Sequence, residues 1–170
     1  MKLFGISGWS GAGKTTLIRK LIAAFTARGL AVGTIKHSHH LLDFAGAEAD
    51  ALLAAGAGEI VLASPSRWAL LQACPDEARP GVADLAARMA GLDLLLVEGF
   101  KYSRHPRLEV WDEALAKPPL AVTDHSVLAV VSDDPVSGPG HEVARFRRDD
   151  IEMIASFIEK NSIPLSEYPR

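Results

Sequence analysis

The chain has 170 residues, a length typical of one domain, and we therefore expect a single domain over residues 1–170. Hydrophobic residues make up 48% of it and charged residues 23%, a composition that supports a sizeable core and argues against extensive disorder. Its net charge of −3 argues against a general nucleic-acid-binding protein, because such proteins are usually basic.

The first half of the chain alternates predicted strands with predicted helices. In order, these are a strand over residues 2–7, a helix over 14–28, a strand over 30–37, a helix over 47–58 and two strand-like runs within 59–72. The first helix has apolar residues at helical spacing and ends before Gly29. The two runs within 59–72 flank the turn signal Pro65-Ser66, so we predict a β-hairpin there.

The second half continues the alternation. It contains a predicted helix over 82–91, a strand over 92–100, a short strand at 108–110, a strand within 125–135, a short strand within 141–150 and an amphipathic helix over 150–160. The strand over 92–100 is apolar without alternation, which is typical of parallel strands covered on both faces. The sequence therefore predicts an α/β fold with a mostly parallel sheet and helices on both faces.

Cellular location is indicated by what the sequence lacks. No apolar run approaches the ~20 residues that a membrane-spanning helix needs, and the N-terminal residues show no signal-peptide pattern. We therefore expect a cytoplasmic protein without a membrane segment. The single cysteine, Cys74, excludes a disulfide framework within the chain and is expected to be a small buried residue.

Residues 8–15 match the phosphate-binding pattern G-x-x-x-x-G-K-[ST] without a gap and lie between a predicted strand and a predicted helix. In such a loop, successive backbone N–H groups and the positive end of the helix face one anion. Lys14 is expected to contact the terminal phosphates and act in catalysis, and the Thr15 hydroxyl to bind Mg²⁺. The predicted nucleotide contacts are Gly8, Ser10, Gly11, Ala12, Gly13, Lys14, Thr15 and Thr16. The fold is therefore predicted to be that of a P-loop nucleotide-hydrolase domain.

A second acid is expected near this loop, to hold Mg²⁺ directly or through water. Glu98 ends the strand over 92–100 and lies at the edge where the phosphate loop is predicted, whereas Asp93 begins that strand at the opposite edge. We predict Glu98 as the metal-binding and catalytic acid. Lys101 follows it and is either a contact to the nucleotide or a partner, or a solvated side chain.

Three histidines, His37, His39 and His40, follow the second predicted strand. Three interpretations stay open: a metal site, because imidazole binds zinc and nickel; polar contact with phosphate or an anionic substrate; or an exposed loop with no task. The sequence has no second histidine or cysteine cluster, which argues against a tight metal centre.

Recognition of the base is the least constrained feature. A carboxylate accepts both donors on one edge of guanine, and Asp133, after a late strand, is the predicted base contact, although the usual N-K-x-D signature is absent. An Asp-Pro turn at Asp134 is the alternative, and residues 123–125 are a weaker rival. These patterns do not distinguish GTP from ATP as the bound nucleotide. The arginines before the last helix are expected to be surface charges: Arg145, Arg147 and Arg148.

Four segments, in this order and spacing, resemble the molybdopterin-guanine dinucleotide biosynthesis protein B (MobB) family. They read "GWSGAGKTTL", "GTIKHSHH", "VLASPSRWAL" and "LDLLLVEGFK", and the resemblance extends from residue 2 to about residue 160. The matching site residues are Gly11, Gly13, Lys14, Thr15, Thr16, His37, His39, His40 and Glu98. The sequence departs from the family after the histidines, where alanines and leucines replace the usual lysine and arginine.

The resemblance implies a GTP-binding protein with weak GTPase activity and Mg²⁺ at the nucleotide. It implies an accessory role beside the guanylyltransferase that makes the dinucleotide form of molybdenum cofactor, with molybdopterin as a candidate ligand, and a homodimer. Two alternatives stay open: a metal-insertion GTPase that uses the His37–His40 loop, and a P-loop small-molecule kinase. The loss of the lysine and arginine after the histidines argues against a basic contact surface there, but it does not affect the predicted nucleotide site.

Overall fold

The computed structural model of the chain describes residues 1–37, 46–74, 80–100, 103–136, 138 and 142–168. The chain forms two compact units: Met1–His37 with Val82–Arg170, and Ser38–Gly81. Within the described ranges, no helix combines the length and the apolar character needed to cross a membrane.

The helices and strands follow the predicted alternation. In chain order they are β1 (Lys2–Ser7), α1 (Lys14–Ala27), β2 (Val32–Lys36), α2 (Gly46–Ala54), β3 (Glu59–Ala63), β4 (Trp68–Gln72), α3 (Val82–Ala86), β5 (Leu94–Glu98), β6 (Arg107–Val110), β7 (Val127–Val131), β8 (Ala144–Phe146), α4 (Ile151–Asn161) and β9 (Ile163–Pro164). Short 3-10 helices cover Glu113–Leu115, Leu120–Val122 and Leu165–Glu167. The predicted helix over 82–91 is shorter than expected, because its second half closes with i→i+3 hydrogen bonds at Arg88 and Met89.

The first unit is built on a sheet with the strand order β2-β5-β1-β6-β7-β8. These six strands run parallel to one another. The short strand β9, which the sequence did not predict, pairs antiparallel with Lys2 and Leu3 at the start of β1. The predicted mostly parallel α/β fold is therefore confirmed.

Both faces of this sheet are covered by helices. Side chains of β1 alternate between the faces, so Phe4 packs in one cluster with α1 and α4, while Leu3 packs in the other with α3. In α1 the buried residues are Leu17, Ile18, Leu21, Ala24 and Phe25, which form one helical stripe. Packing from both sides explains why β5 carries an uninterrupted apolar run.

The second unit contains the predicted hairpin. Strands β3 and β4 are antiparallel, and their register runs from Glu59 opposite Gln72 to Ala63 opposite Trp68. The turn is closed by hydrogen bonds between Ser64 and Arg67. The expectation for Cys74 was wrong, since it is exposed just beyond the last strand residue of this hairpin.

Candidate functional site

The phosphate loop joins the end of β1 to the start of α1, as predicted. Its backbone adopts positive φ at Gly8, Gly11 and Gly13, with values of 135°, 86° and 93°. A Cβ atom on Gly8 would lie 2.2 Å from the Val110 carbonyl oxygen, so no other residue fits there. Glycine at this position lets the loop curl tightly over the end of β6.

The Lys14 ammonium group is held by the loop itself. Its Nζ donates hydrogen bonds to the carbonyl oxygens of Gly8 at 3.0 Å and Trp9 at 2.7 Å. An ammonium group has three donors on a flexible stem, and two of them are used by these loop carbonyls. The two bonds keep the Lys14 ammonium against the segment predicted to bind phosphate.

Glu98 and Thr15 lie together, as the sequence predicted. The Thr15 hydroxyl donates to the Glu98 carboxylate, at 3.1 Å from Oε1 and 3.3 Å from Oε2. Glu98 is buried, with 7% of its surface exposed. Two oxygen ligands in adjacent positions of an octahedral Mg²⁺ site lie about 3 Å apart, given metal–oxygen distances of about 2.0–2.1 Å. The spacing of these two side chains therefore fits a shared Mg²⁺ ion.

Lys36, to which the sequence analysis assigned no role, also lies at this site. Its Nζ donates to Thr15 Oγ1 at 3.0 Å and lies 3.4 Å from Glu98 Oε1. Lys36 pairs in register with Glu98, which places both side chains at the same edge of the sheet. The signal was the position of Lys36 as the last residue of a strand beside β5.

Asp93, the other acid of this strand, lies at the opposite edge. Its Oδ2 accepts a hydrogen bond from the Ala31 backbone N–H at 2.9 Å. This contact fastens the turn before β2 to the start of β5. Of the two acids considered, only Glu98 lies at the phosphate loop.

The histidine loop is only partly described. The His37 backbone N–H donates to the Glu98 carbonyl at 3.0 Å, and its ring packs on Phe100 with centroids 5.0 Å apart. His39, His40 and Lys101 lie outside the described residues. In the part of the chain that the structure does describe, no group of three or more His, Cys, Asp and Glu side chains could hold a metal ion.

The turn before α4 also reaches the phosphate loop. Arg148 donates to the Ala12 carbonyl at 2.8 Å and to the Trp111 carbonyl at 2.9 Å, so the expectation that it is a surface charge was wrong. The half-exposed Asp133 accepts the Arg148 backbone N–H at 3.2 Å. A carboxylate accepts about four hydrogen bonds, so Asp133 keeps acceptor sites for a base beside its bond to Arg148. Its role as the base contact stays a prediction.

A second polar cluster is buried where β6 begins. His105 and Arg107 are each 1% exposed, and Glu109 is fully buried. Burial, with a smaller effect of Arg107, lowers the pKa of His105 to about 4. Burial also lowers the pKa of Arg107, although Asp124 opposes this. Glu109 accepts the N–H groups of the 3-10 helix Leu120–Val122 at 2.8 and 2.9 Å, which fixes that helix over the sheet.

A cavity of about 710 Å³ lies beside this cluster. Trp9 of the phosphate loop is part of its lining, together with Arg104, Leu120 and His125. Small-molecule pockets in proteins have volumes of about 300–1,000 Å³. The cavity therefore has the size of a ligand pocket and adjoins the candidate nucleotide site.

Comparison with known proteins gives one consistent result. Residues 3–133 match the family model of Molybdopterin guanine dinucleotide synthesis protein B, MobB. The molybdopterin-guanine dinucleotide biosynthesis adapter protein of Escherichia coli (strain K12) is 42% identical over 161 residues, covering 92% of this chain and 90% of that protein. The protein of the same name from Haemophilus influenzae is 38% identical over 164 residues, covering 92% and 87%.

The fold agrees with a solved structure. The crystal structure of molybdopterin-guanine biosynthesis protein B superposes with a TM-score of 0.67 at 30% identity, covering 93% of this chain and 98% of that chain.

Proposed function

The chain belongs to the MobB family, and we propose that it serves molybdopterin guanine dinucleotide synthesis as a GTP-binding adapter with weak GTPase activity. The observation that carries this proposal is the contact of Thr15 with Glu98 beside a loop in which Lys14 is already held. Phosphate-loop nucleotide sites combine these three groups.

In this proposal Lys14 exchanges its two loop carbonyls for terminal phosphate oxygens when the nucleotide binds. Backbone N–H groups of the loop and of the start of α1 bind the other phosphate oxygens. The Ala12 N–H is an exception to the predicted contacts, because it donates to the Trp9 carbonyl at 3.2 Å. Thr15 and Glu98 hold Mg²⁺, which neutralises phosphate charge. The Lys36 ammonium contacts oxygens of both Thr15 and Glu98, so it would have to move away for these two side chains to hold Mg²⁺.

Guanine preference rests on Asp133 in this proposal. Its carboxylate follows β7 and is joined through Arg148 to the phosphate loop, so it lies on the same side of the sheet as the phosphate contacts. Two lone pairs of a carboxylate match the paired donors of guanine, whereas adenine presents no such pair. A shift of preference from GTP towards ITP in Asp133→Asn would support this contact.

We infer a homodimer from the hairpin of the second unit. Val61 and Trp68 are 62% and 69% exposed, and Leu70 lies opposite Val61 on the same face. Within the described ranges, β3 and β4 pair only with each other, and an isolated two-stranded hairpin is at best marginally stable in water. A second copy that covers this apolar face would remove it from water.

Light scattering tests the dimer directly. Val61→Lys with Trp68→Glu should convert a dimer to a monomer, while the control Gln72→Glu, which adds charge at the end of the same face, should not. A wild-type protein that is monomeric at all concentrations would contradict the inference.

We propose the guanylyltransferase as the protein partner and the cytoplasm as the site of this encounter. The name of the adapter relatives supports a partner enzyme. Molybdopterin is a candidate ligand of the cavity that Trp9 lines, since Arg104 and His125 there can meet a phosphate group. Leu120→Trp, which would narrow the cavity, should weaken binding of a pterin phosphate without affecting GTP.

Calorimetric titration with GTP and with ATP, each with and without Mg²⁺, tests the central proposal. Tighter, Mg²⁺-dependent binding of GTP supports it and justifies titration with the guanylyltransferase. An ATP preference with rapid turnover of a hydroxyl substrate would favour the kinase alternative. Tight metal binding lost in a triple alanine variant of His37, His39 and His40 would favour the metal-insertion alternative.

A further inference from the structure

The guanidinium group of Arg148 forms hydrogen bonds through both terminal nitrogens and an ion pair through the third. Nη1 donates to the Ala12 carbonyl at 2.8 Å, and Nη2 donates to the Trp111 carbonyl at 2.9 Å and the Asp112 carboxylate at 3.3 Å. Nε lies 3.7 Å from the Asp133 carboxylate. One side chain thus joins the phosphate loop to the ends of β6 and β7.

The contact with Ala12 bears on the orientation of a phosphate-binding group. The C=O and N–H groups of a trans peptide point in opposite directions, and the described chain contains no cis peptide. A hydrogen bond that holds the Ala12 oxygen from outside the loop therefore aims the Gly13 N–H the other way. Successive N–H groups of a phosphate loop face the anion, so this direction is the one that binding requires.

The Arg148 guanidinium group lies close to Gly13 of the loop. A Cβ atom on Gly13 would lie 2.7 Å from Arg148 Nη1, which is closer than real Cβ contacts. The positive φ at position 13 favours glycine there, and a Cβ atom would also require the guanidinium group at the end of the flexible Arg148 side chain to shift. A lysine at position 148 could not reproduce this fork, because its ammonium group is a single point of charge.

We propose that Arg148 is a positioning residue of the nucleotide site, which fixes the Ala12–Gly13 peptide so that the Gly13 N–H faces the bound phosphate. The proposal deepens the function proposed above and rests on it for its binding readout. Asp112 and Asp133 compensate the charge of Arg148, so its role lies in orientation more than in attraction of the nucleotide.

The test compares Arg148→Ala and Arg148→Lys with the control Arg147→Ala. Arg147 is 77% exposed and adjacent in sequence, so it controls for loss of one positive charge. Affinities for GTP and GDP are measured with Mg²⁺, and repeated in millimolar guanidinium chloride against the same concentration of sodium chloride. Thermal stability of each variant is recorded alongside, and Arg148→Lys serves where the alanine variant is unstable.

We expect Arg148→Ala to weaken GTP and GDP about tenfold each, as for loss of a charged hydrogen bond, and guanidinium to restore the affinity. Arg148→Lys should recover only part, and Arg147→Ala should bind as wild type. Unchanged affinity in Arg148→Ala, an equal loss in Arg147→Ala, or a loss that guanidinium does not restore would overturn the proposal.

A second readout needs no nucleotide. The amide ¹H–¹⁵N resonance of Gly13 in the ligand-free protein should shift in Arg148→Ala and return with guanidinium. If the wild type binds neither GTP nor ATP, the proposed function fails, and the Gly13 resonance is then the measurement that tests whether Arg148 positions the Ala12–Gly13 peptide. An unchanged Gly13 resonance would then overturn the positioning role.

Discussion

His105 is a buried histidine whose protonation opposes folding. A Cβ atom on Gly5 would lie 2.3 Å from its Nε2, and its ring centroid lies 5.9 Å from that of Tyr168. Among the residues that the structure describes, neither ring nitrogen has a hydrogen-bond partner. Burial is the main cause that lowers its pKa from 6.5 to about 4, and Arg107 adds to it.

The difference in pKa between the folded and unfolded states sets the magnitude. Between pH 4 and 6.5 the unfolded chain binds a proton at His105 that the folded chain does not, so the free energy of unfolding rises with pH in that window. The contribution is complete above about pH 6.5 and is lost as the pH falls towards 4. With about 1.36 kcal/mol for each pKa unit, the full loss is about 3 kcal/mol.

Urea unfolding at pH 7 and pH 4.5 measures this contribution. Wild type should lose about 2 kcal/mol more over this interval than His105→Leu, which cannot titrate there. The same pH dependence in wild type and His105→Leu would refute the reasoning, whatever their absolute stabilities.

Further predictions concern the nucleotide site. Lys14→Ala should lower the affinity for GTP more than for GDP in calorimetry, because Lys14 reaches the terminal phosphate; an equal loss would mean a different role. Glu98→Gln should reduce Mg²⁺-dependent hydrolysis in a phosphate-release assay while the melting temperature is kept, and unchanged hydrolysis would contradict its assignment. Lys36→Met should tighten Mg²⁺ binding to the nucleotide complex about fivefold, because the ion would no longer compete with the Lys36 ammonium for Glu98. Opposite charges 3.4 Å apart attract each other by about 1 kcal/mol in water. Gly8→Ala should destabilise the fold by about 2 kcal/mol or more in urea unfolding, because the new Cβ would overlap the Val110 carbonyl.

Local patterns predicted much of the fold. The loop over residues 8–15, the hairpin and the buried strands depend on short stretches, so turn residues and periodicity identify them. Glu98 was predicted from topology, because the carboxyl ends of parallel strands share one edge. The short strand β9 has too few residues for any periodicity and was missed.

The remaining site residues depend on contacts distant in sequence. Lys36 lies at the candidate site because of its register with Glu98, which no local pattern specifies. Arg148 lies 136 residues from Ala12 and belongs to a polar run typical of a surface. No local pattern distinguishes His105, because its burial arises from packing in the folded sheet.

The central position of β1 has a consequence for the order of assembly during synthesis. The strand that carries the phosphate loop is made first, but its partners are β5, β6 and β9, all of which follow later in the chain. Parallel pairing between strands distant in sequence is slow, because the intervening chain loses entropy on closing before the stabilising contacts form. The nucleotide site therefore cannot assemble on the ribosome until residues 94–98 have emerged, and β1 gains its last partner only with residues 163–164.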